Sequence, residues 1–178
     1  MKNSSFTKKL SFLLLFMPVI LFAQNTDQNK IMNDAREAKN AFIQQDPAMS
    51  KLFERAEGFV VFPNVGKGAY IVGGAAGNGI VYQNGKAIGM AKLRQLDIGL
   101  QFGGQAFRQA IFFQTQAELE RFKEGNFELS STVSAVALEK GIAKSIEFRD
   151  GIAVVTMPKA GAMIEVSVGG QKFEFESF

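Results

Sequence analysis

Histidine and cysteine are both missing from this chain of 178 residues. Without histidine, the chain lacks the residue that most often serves as a general base and as a metal ligand. Without cysteine, it has no thiolate ligand, no thiol nucleophile and no disulfide. Ser130 precedes Lys140 and Lys144, but no known motif pairs a serine with either lysine. We therefore expect a protein that is not an enzyme and that binds no metal.

Tryptophan is absent as well, and tyrosine occurs only twice, whereas phenylalanine occurs 18 times. Phenylalanine carries no polar group, so this balance predicts an apolar interior with few aromatic hydrogen-bond donors. A chain of this length can bury a sufficient core in one domain. It must do so by packing alone, because disulfides are excluded.

Acidic residues are absent from the first part of the chain, up to Asp27. Three lysines there precede an apolar run over residues 10–22, and Ala23 is a small residue suited to cleavage. This pattern is typical of a secretory signal peptide over residues 1–23 and predicts an exported protein, periplasmic or secreted. An uncleaved anchor is the alternative, although the run is shorter than the roughly 20 apolar residues that span a bilayer.

The whole chain has 20 lysines and arginines against 17 aspartates and glutamates. The three lysines of the predicted signal account for this difference, so residues 24–178 carry equal numbers of basic and acidic side chains. A domain without a basic surplus lacks the usual electrostatic basis for binding nucleic acid. We therefore expect no nucleic-acid partner.

Helical periodicity begins after a polar segment, residues 25–30, that we interpret as a loose connection. Ile31, Ala35, Ala38 and Phe42 fall on one helical face, and basic side chains flank that face. The favoured interpretation is a helix docked on the domain, and the alternative is a helix that lies on a membrane surface. Asp46 then predicts the N-cap of a second, buried helix.

From residue 58 onward, the pattern is that of short strands and turns. Asn84-Gly85 is the strongest hairpin signal, and Asp150-Gly151 is a similar turn. Thr115 and Glu118 have the spacing of a capping box, which predicts one short helix in this otherwise extended part of the chain.

Residues 80–113 and 146–178 align without a gap at an offset of 66 residues. They share the two hairpin turns and the related motifs Gly103-Gly-Gln105 and Gly169-Gly-Gln171. We infer two similar four-stranded meanders. The alternative is that any two antiparallel meanders look alike at this level.

The predicted fold class is α+β, in a single domain over residues 24–178. The two meanders form a curled antiparallel β-sheet, barrel- or sandwich-like, within the β-rich residues 58–178. Residues 24–57 supply two N-terminal helices, and one short helix lies between the meanders. Closing the meanders against each other shortens or removes exposed strand edges.

Residues 66–79 are rich in glycine, which has two interpretations. A phosphate-binding loop requires a helix directly after the glycines, or the Gly-Lys-Ser/Thr sequence of a P-loop. Here a strand and the Asn84-Gly85 hairpin follow. We therefore interpret the glycines as bends and close contacts in a curled sheet, and we expect no nucleotide or other cofactor.

Several segments after residue 55 have an order and spacing that, taken together, are characteristic of a known domain family. They are residues 56–65 and 68–79, Ile98-Gly-Leu-Gln-Phe-Gly-Gly-Gln105, Phe112 and Phe113, Leu119 and Phe122, and Gly169-Gly-Gln-Lys-Phe173. With them the chain resembles the SYLF domain, a lipid-binding module that is also described as an actin regulator. The resemblance covers most of the chain after the predicted signal.

The resemblance implies binding of membrane phospholipids through basic residues and an N-terminal amphipathic helix. By region and character, the residues that match this role are Lys30, Arg36, Lys39, Lys51, Arg55 and Lys67. Eukaryotic members have a tryptophan-serine segment after the glycines, where this chain has Met90-Ala-Lys-Leu-Arg94. This departure and the predicted export argue against actin and phosphoinositides as partners.

Two functions of different classes are therefore expected. The first is non-enzymatic binding of phospholipids at a membrane surface of the bacterial cell envelope. The second is an envelope protein–protein interaction module that docks through a sheet face or a strand edge. The basic flank of the first helix favours the first function, whereas the balanced charge of residues 24–178 provides no strong overall attraction to a membrane.

Overall fold

The computed structural model describes residues 17–66, 74–96, 106–125, 127–129, 133–159, 168 and 170–178. The α-helices in these ranges are α1 (Met17–Gln45), α2 (Met49–Arg55) and α3 (Gln116–Lys123), and a short 3-10 helix covers Ile142–Ser145. The described strands are β1 (Gly58–Val65), β2 (Gly74–Gln83), β3 (Lys86–Leu96), β4 (Phe107–Phe113), β5 (Phe127–Glu128), β6 (Ala135–Ala137), β7 (Ile152–Pro158) and β8 (Lys172–Ser177).

The described strands belong to one eight-stranded sheet, in the order β5-β8-β3-β2-β1-β4-β7-β6. Phe62 on β1 contacts Phe173 on β8, with ring centroids 5.7 Å apart, although β2 and β3 lie between their strands. Three strand spacings in a flat sheet would hold these residues about 14 Å apart, so the sheet is curled into a half-barrel. The predicted α+β class with a curled sheet is confirmed.

The strand pairing differs from the predicted meanders in two respects. First, β3 pairs with β8 and β4 pairs with β7, so strands of one repeated segment pair with strands of the other. Second, β6 runs parallel to β7, which makes the sheet mixed rather than antiparallel. Residues 138–151 between these strands are long enough for the crossover that a parallel pair needs. The predicted strands over residues 96–102 and 162–168 lie almost wholly outside the described residues.

The two hairpin turns have the same backbone geometry. Asn84 and Gly85 have φ angles of 51° and 73°, and Asp150 and Gly151 have φ angles of 50° and 75°. Positive φ at both central positions is characteristic of the type I′ turn, which Asn-Gly and Asp-Gly sequences favour. Both predicted turns are confirmed.

Glycines of β2 allow β1 and β2 to approach closely. A Cβ atom at Gly79 would lie 2.8 Å from the carbonyl oxygen of Val61, and one at Gly77 would lie 2.7 Å from that of Asn64. Neither position has room for a side chain, which confirms that these glycines are close-contact positions. The neighbouring residues 67–73 lie outside the described residues.

Alternate side chains of the sheet face two hydrophobic cores. On the concave face, Val60 and Phe62 join apolar side chains of β4, β8 and α3. On the convex face, Phe59 and Val61 pack with the apolar sides of α1 and α2. The predicted apolar face of the first helix is buried in this second core, through Ala35, Ala38 and Phe42. The docked interpretation of that helix is therefore confirmed.

α1 is longer than the sequence predicts, because residues 25–30 are helical rather than a loose connection. No glycine or proline occurs between Pro18 and Pro47, so no residue in that stretch ends the helix. Of the predicted signal peptide, residues 1–16 lie outside the described residues. Within the described part of the chain, no helix combines the length and the hydropathy that crossing a membrane requires.

Candidate functional site

A groove of about 620 Å³ lies between α2 and the segment that contains the 3-10 helix. We call it the α2 groove. Its lining includes three basic and three apolar side chains, which are Lys51, Arg55 and Lys144, and Leu52, Ile146 and Phe148. The α2 groove thus brings together two of the basic residues that the sequence predicts and adds a third cation, Lys144.

The amphipathic pattern of α2 places its cations on the outside. Met49 and Phe53, one turn apart, are buried in the convex core. Lys51 and Arg55 are also one turn apart and are exposed on another side of the helix. Leu52 is half-buried between these two sides. The helix therefore presents two cations beside apolar surface.

Asp46 joins the two walls of the α2 groove. It is 4% exposed, and its two carboxylate oxygens accept hydrogen bonds from the backbone N–H of Ala143, at 2.8 Å, and of Ala48, at 3.0 Å. These donors, Ala143 first, lower the pKa of Asp46 below its ordinary value, and the nearby charge of Lys144 acts in the same direction. The carboxylate is thus held charged while it fixes both walls.

The predicted role of Asp46 needs a correction. The second helix begins at Met49 rather than directly after Asp46, because the chain first makes a turn in which the Met49 N–H bonds to the Asp46 carbonyl at 2.9 Å. Ala48 is the N-cap residue, and it makes no side-chain capping bond. Asp46 instead caps the preceding turn and reaches the 3-10 helix.

The cations of the α2 groove form no ion pair with any residue in the described part of the chain. Of the ion pairs among the described residues, none includes Lys51, Arg55, Lys144 or Glu147, which also lines the groove. Three basic side chains outnumber Glu147 and the Asp46 carboxylate between the walls, so the net charge around the groove is positive. An unpaired cation near apolar surface leaves its hydrogen-bond donors available to an anionic ligand.

Two of the other predicted basic residues, Lys30 and Arg36, do not line the α2 groove. Lys30 lies on α1, in a second groove of about 400 Å³, and forms an ion pair with Asp34 at 3.1 Å. Arg36 is exposed on α1 and donates to the side-chain oxygen of Asn33 at 3.4 Å. Lys67 lies outside the described residues. Of the predicted residues that the structure describes, only Lys51 and Arg55 line the α2 groove.

Lys39 contacts aromatic side chains of the convex core. Its ammonium lies 5.1 Å from the ring centroids of both Phe53 and Phe59. A cation at this distance is attracted by the negative face of each ring. Lys39 therefore helps to hold α1 on the domain, where the apolar face formed by Ala35, Ala38 and Phe42 is covered by the sheet.

The second wall of the α2 groove was not predicted. The sequence favours a strand over residues 146–149, but the structure has only a bridge between Arg149 and Ile152. The sequence does contain one indication of this wall, a cation followed by two alternating apolar residues at Lys144, Ile146 and Phe148. That signal did not indicate α2 as the opposite wall.

The described concave interior is filled by phenylalanine rings. Phe122 lies 5.1 Å from Phe113 and 5.7 Å from Phe173, measured between ring centroids. Within the described ranges, no three acidic side chains are grouped so that they could hold a metal ion. The exposed α2 groove is therefore the better candidate for a ligand site.

The chain is similar to two proteins over most of its length, although no protein-family model matches it. It is 23% identical over 167 residues to Beta cell expansion factor A of Aeromonas veronii, a match that covers 86% of this chain and 64% of that protein. The chain thus spans less than two thirds of this relative. A beta-barrel-like, uncharacterized protein from Brucella abortus matches at 16% identity and a TM-score of 0.45, over 81% of this chain and 94% of its own.

Proposed function

We propose that this protein binds phospholipids at a membrane surface of the bacterial envelope, without catalysing a reaction, and that the α2 groove holds the headgroup. The observation that carries the proposal is a set of three cations, Lys51, Arg55 and Lys144, that lie beside apolar side chains of the groove walls and form no ion pair with any described residue. The resemblance to the SYLF domain supports lipid as the ligand class. The predicted signal peptide supports the envelope as the compartment.

The chemistry of these side chains suits a phosphate group at an interface. Arginine presents a planar set of donors to phosphate oxygens, and lysine adds a mobile point charge. The aliphatic stems of both can lie on apolar surface while their charged ends reach the headgroup. Leu52, Ile146 and Phe148 provide such a surface at half-buried positions.

Co-sedimentation with vesicles of anionic phospholipid tests the proposal. We expect the double variant Lys51→Gln, Arg55→Gln to bind roughly thirtyfold more weakly, because each basic residue near an anionic surface contributes about 1 kcal/mol. Higher salt should weaken wild-type binding through screening. Lys30→Gln is the matched control, because Lys30 lies outside the α2 groove and is already paired.

Two results would count against the proposal. If the wild-type protein fails to sediment with vesicles of any bacterial phospholipid, lipid binding is wrong. If Lys30→Gln loses as much binding as the double variant, attraction is a property of the whole surface and the α2 groove has no special part in it.

Docking of an envelope protein is less well supported. Strand addition requires an exposed sheet edge, and the outermost described strands are β5 with two residues and β6 with three. Such short edge strands are a common protection against pairing with another chain. Recovery of a stoichiometric protein partner, independent of lipid, would reverse this ranking.

A further inference from the structure

Glu147 is a carboxylate in a groove that is otherwise basic. It is exposed on the wall that follows the 3-10 helix, and no described cation pairs with it within 4.0 Å. The exposed Gln114, whose backbone N–H is fixed to the Gly151 carbonyl at 2.8 Å, adds a side-chain amide to the same lining. The α2 groove therefore offers hydrogen-bond acceptors as well as cationic donors.

A ligand that satisfies both sets carries a phosphate and an ammonium a short distance apart. We propose that the α2 groove selects the phosphoethanolamine headgroup of membrane phospholipids, an inference that rests on the proposed function. Lys51, Arg55 and Lys144 hold the phosphate. The carboxylate of Glu147 and the amide oxygen of Gln114 accept hydrogen bonds from the ammonium.

This arrangement discriminates against a choline headgroup. A primary ammonium donates up to three hydrogen bonds, which a carboxylate and an amide oxygen accept. A quaternary ammonium donates none and is usually recognised by several aromatic faces around it. Among the described lining residues of the α2 groove, Phe148 alone is aromatic. Choline therefore keeps its charge attraction to Glu147 but gains neither the hydrogen bonds nor an aromatic cage.

The arrangement also separates ethanolamine from headgroups that are only anionic. A phosphatidylglycerol headgroup places a phosphate near Glu147 without supplying a cation to pair with it. The carboxylate then repels the phosphate and opposes part of the attraction by the three basic residues. Removing the charge of Glu147 should thus change binding of the two lipids in opposite directions.

Binding to vesicles of phosphatidylcholine, alone or mixed with phosphatidylethanolamine or phosphatidylglycerol, tests this headgroup selectivity. We expect the wild-type protein to bind the ethanolamine vesicles about two- to fivefold more tightly than pure choline vesicles, as for an exposed ion pair. Glu147→Gln should lose this preference and bind the vesicles that contain phosphatidylglycerol more tightly than the wild-type protein does. Glu139→Gln, an exposed carboxylate outside the lining, is the control and should behave as wild type.

A second measurement separates headgroup recognition from effects of ethanolamine lipids on bilayer packing. Soluble O-phosphoethanolamine should compete with the vesicles, and phosphocholine should compete more weakly. Should far-UV circular dichroism show that Glu147→Gln is misfolded, Gln114→Ala provides the same comparison. Equal competition by the two soluble compounds, or an ethanolamine preference that survives in Glu147→Gln, would overturn the inference and leave lipid binding itself standing. No binding to any vesicle would overturn both.

Discussion

Asp46 is a buried carboxylate that accepts backbone hydrogen bonds from both walls of the α2 groove. These bonds favour its charged form, so its pKa in the folded protein lies below the ordinary 3.8. An unfolded chain then binds this proton at a higher pH than the folded chain does. The stabilisation is therefore complete above about pH 5 and is lost as the pH falls through the lowered pKa.

We expect Asp46→Asn to lower the melting temperature at neutral pH, because an amide has one acceptor oxygen for two N–H donors. Between about pH 5 and pH 2, the stability of this variant should change less than that of the wild-type protein. Thermal unfolding across this range measures both effects. Asp27→Asn alters an exposed carboxylate on α1 and should keep the wild-type profile. An Asp46→Asn profile that matches wild type would contradict the assignment.

Lys39 is a second residue whose contacts predict a measurable effect. Lys39→Gln should lower the free energy of unfolding by about 0.5–1 kcal/mol, because its attraction to Phe53 and Phe59 is lost. Lys39→Arg keeps the charge and should cost less. Urea unfolding measures the change, and vesicle binding should stay unaltered. Weaker vesicle binding at unchanged stability would instead make Lys39 a lipid contact.

At the scale of elements, the features decided by a few neighbouring residues could be predicted from the sequence. The side chain of Thr115 accepts a hydrogen bond from the Glu118 N–H at 3.4 Å, as the capping box at the start of α3 predicts. The type I′ turns are equally local. The apolar face of α1 follows from the helical period of its apolar residues. This period indicates that the face is buried, but it does not specify what covers it.

The α2 groove could be predicted only in part. Lys51 and Arg55 follow from the exposed side of α2, but the opposite wall depends on the contact between Asp46 and Ala143, which are 97 residues apart. The pairing of strands between the two repeated segments likewise depends on residues that are far apart in the sequence. Periodicity contains no information about such partners, and so Lys144 was missed as a site residue.

At the scale of the whole molecule, a buried polar network links opposite parts of the half-barrel. Gln109 on β4 donates to the side-chain oxygen of Gln171 at 2.7 Å, and Gln171 donates to that of Gln95 at 3.0 Å. Three strands separate β4 from β8, which begins directly after Gln171. The network therefore helps to fix the curl of the sheet, since these amides meet only when it is strongly bent.

We expect Gln171→Leu to lower the free energy of unfolding by about 1–3 kcal/mol, because it takes a hydrogen-bond partner from the buried Gln109 amide. Gln83→Leu is the control, since Gln83 has an exposed hydrogen bond to Gln116 and its loss should cost less than about 0.5 kcal/mol. Urea unfolding distinguishes the two. Equal stability of the two variants would mean that the network contributes little to the curl of the sheet.

The pairing of β3 with β8 also has a consequence for the order of events during synthesis. Leu93 on β3 pairs with Phe173 on β8. About 80 further residues must therefore be synthesised before β8 can cover the free edge of the β2–β3 hairpin. Pairings between distant segments slow folding, because loop-closure entropy is lost before the contacts form. At a synthesis rate of about 5–20 residues per second, the unpaired edge of β3 therefore stays exposed for several seconds on the nascent chain. Chaperones have that interval in which to bind it.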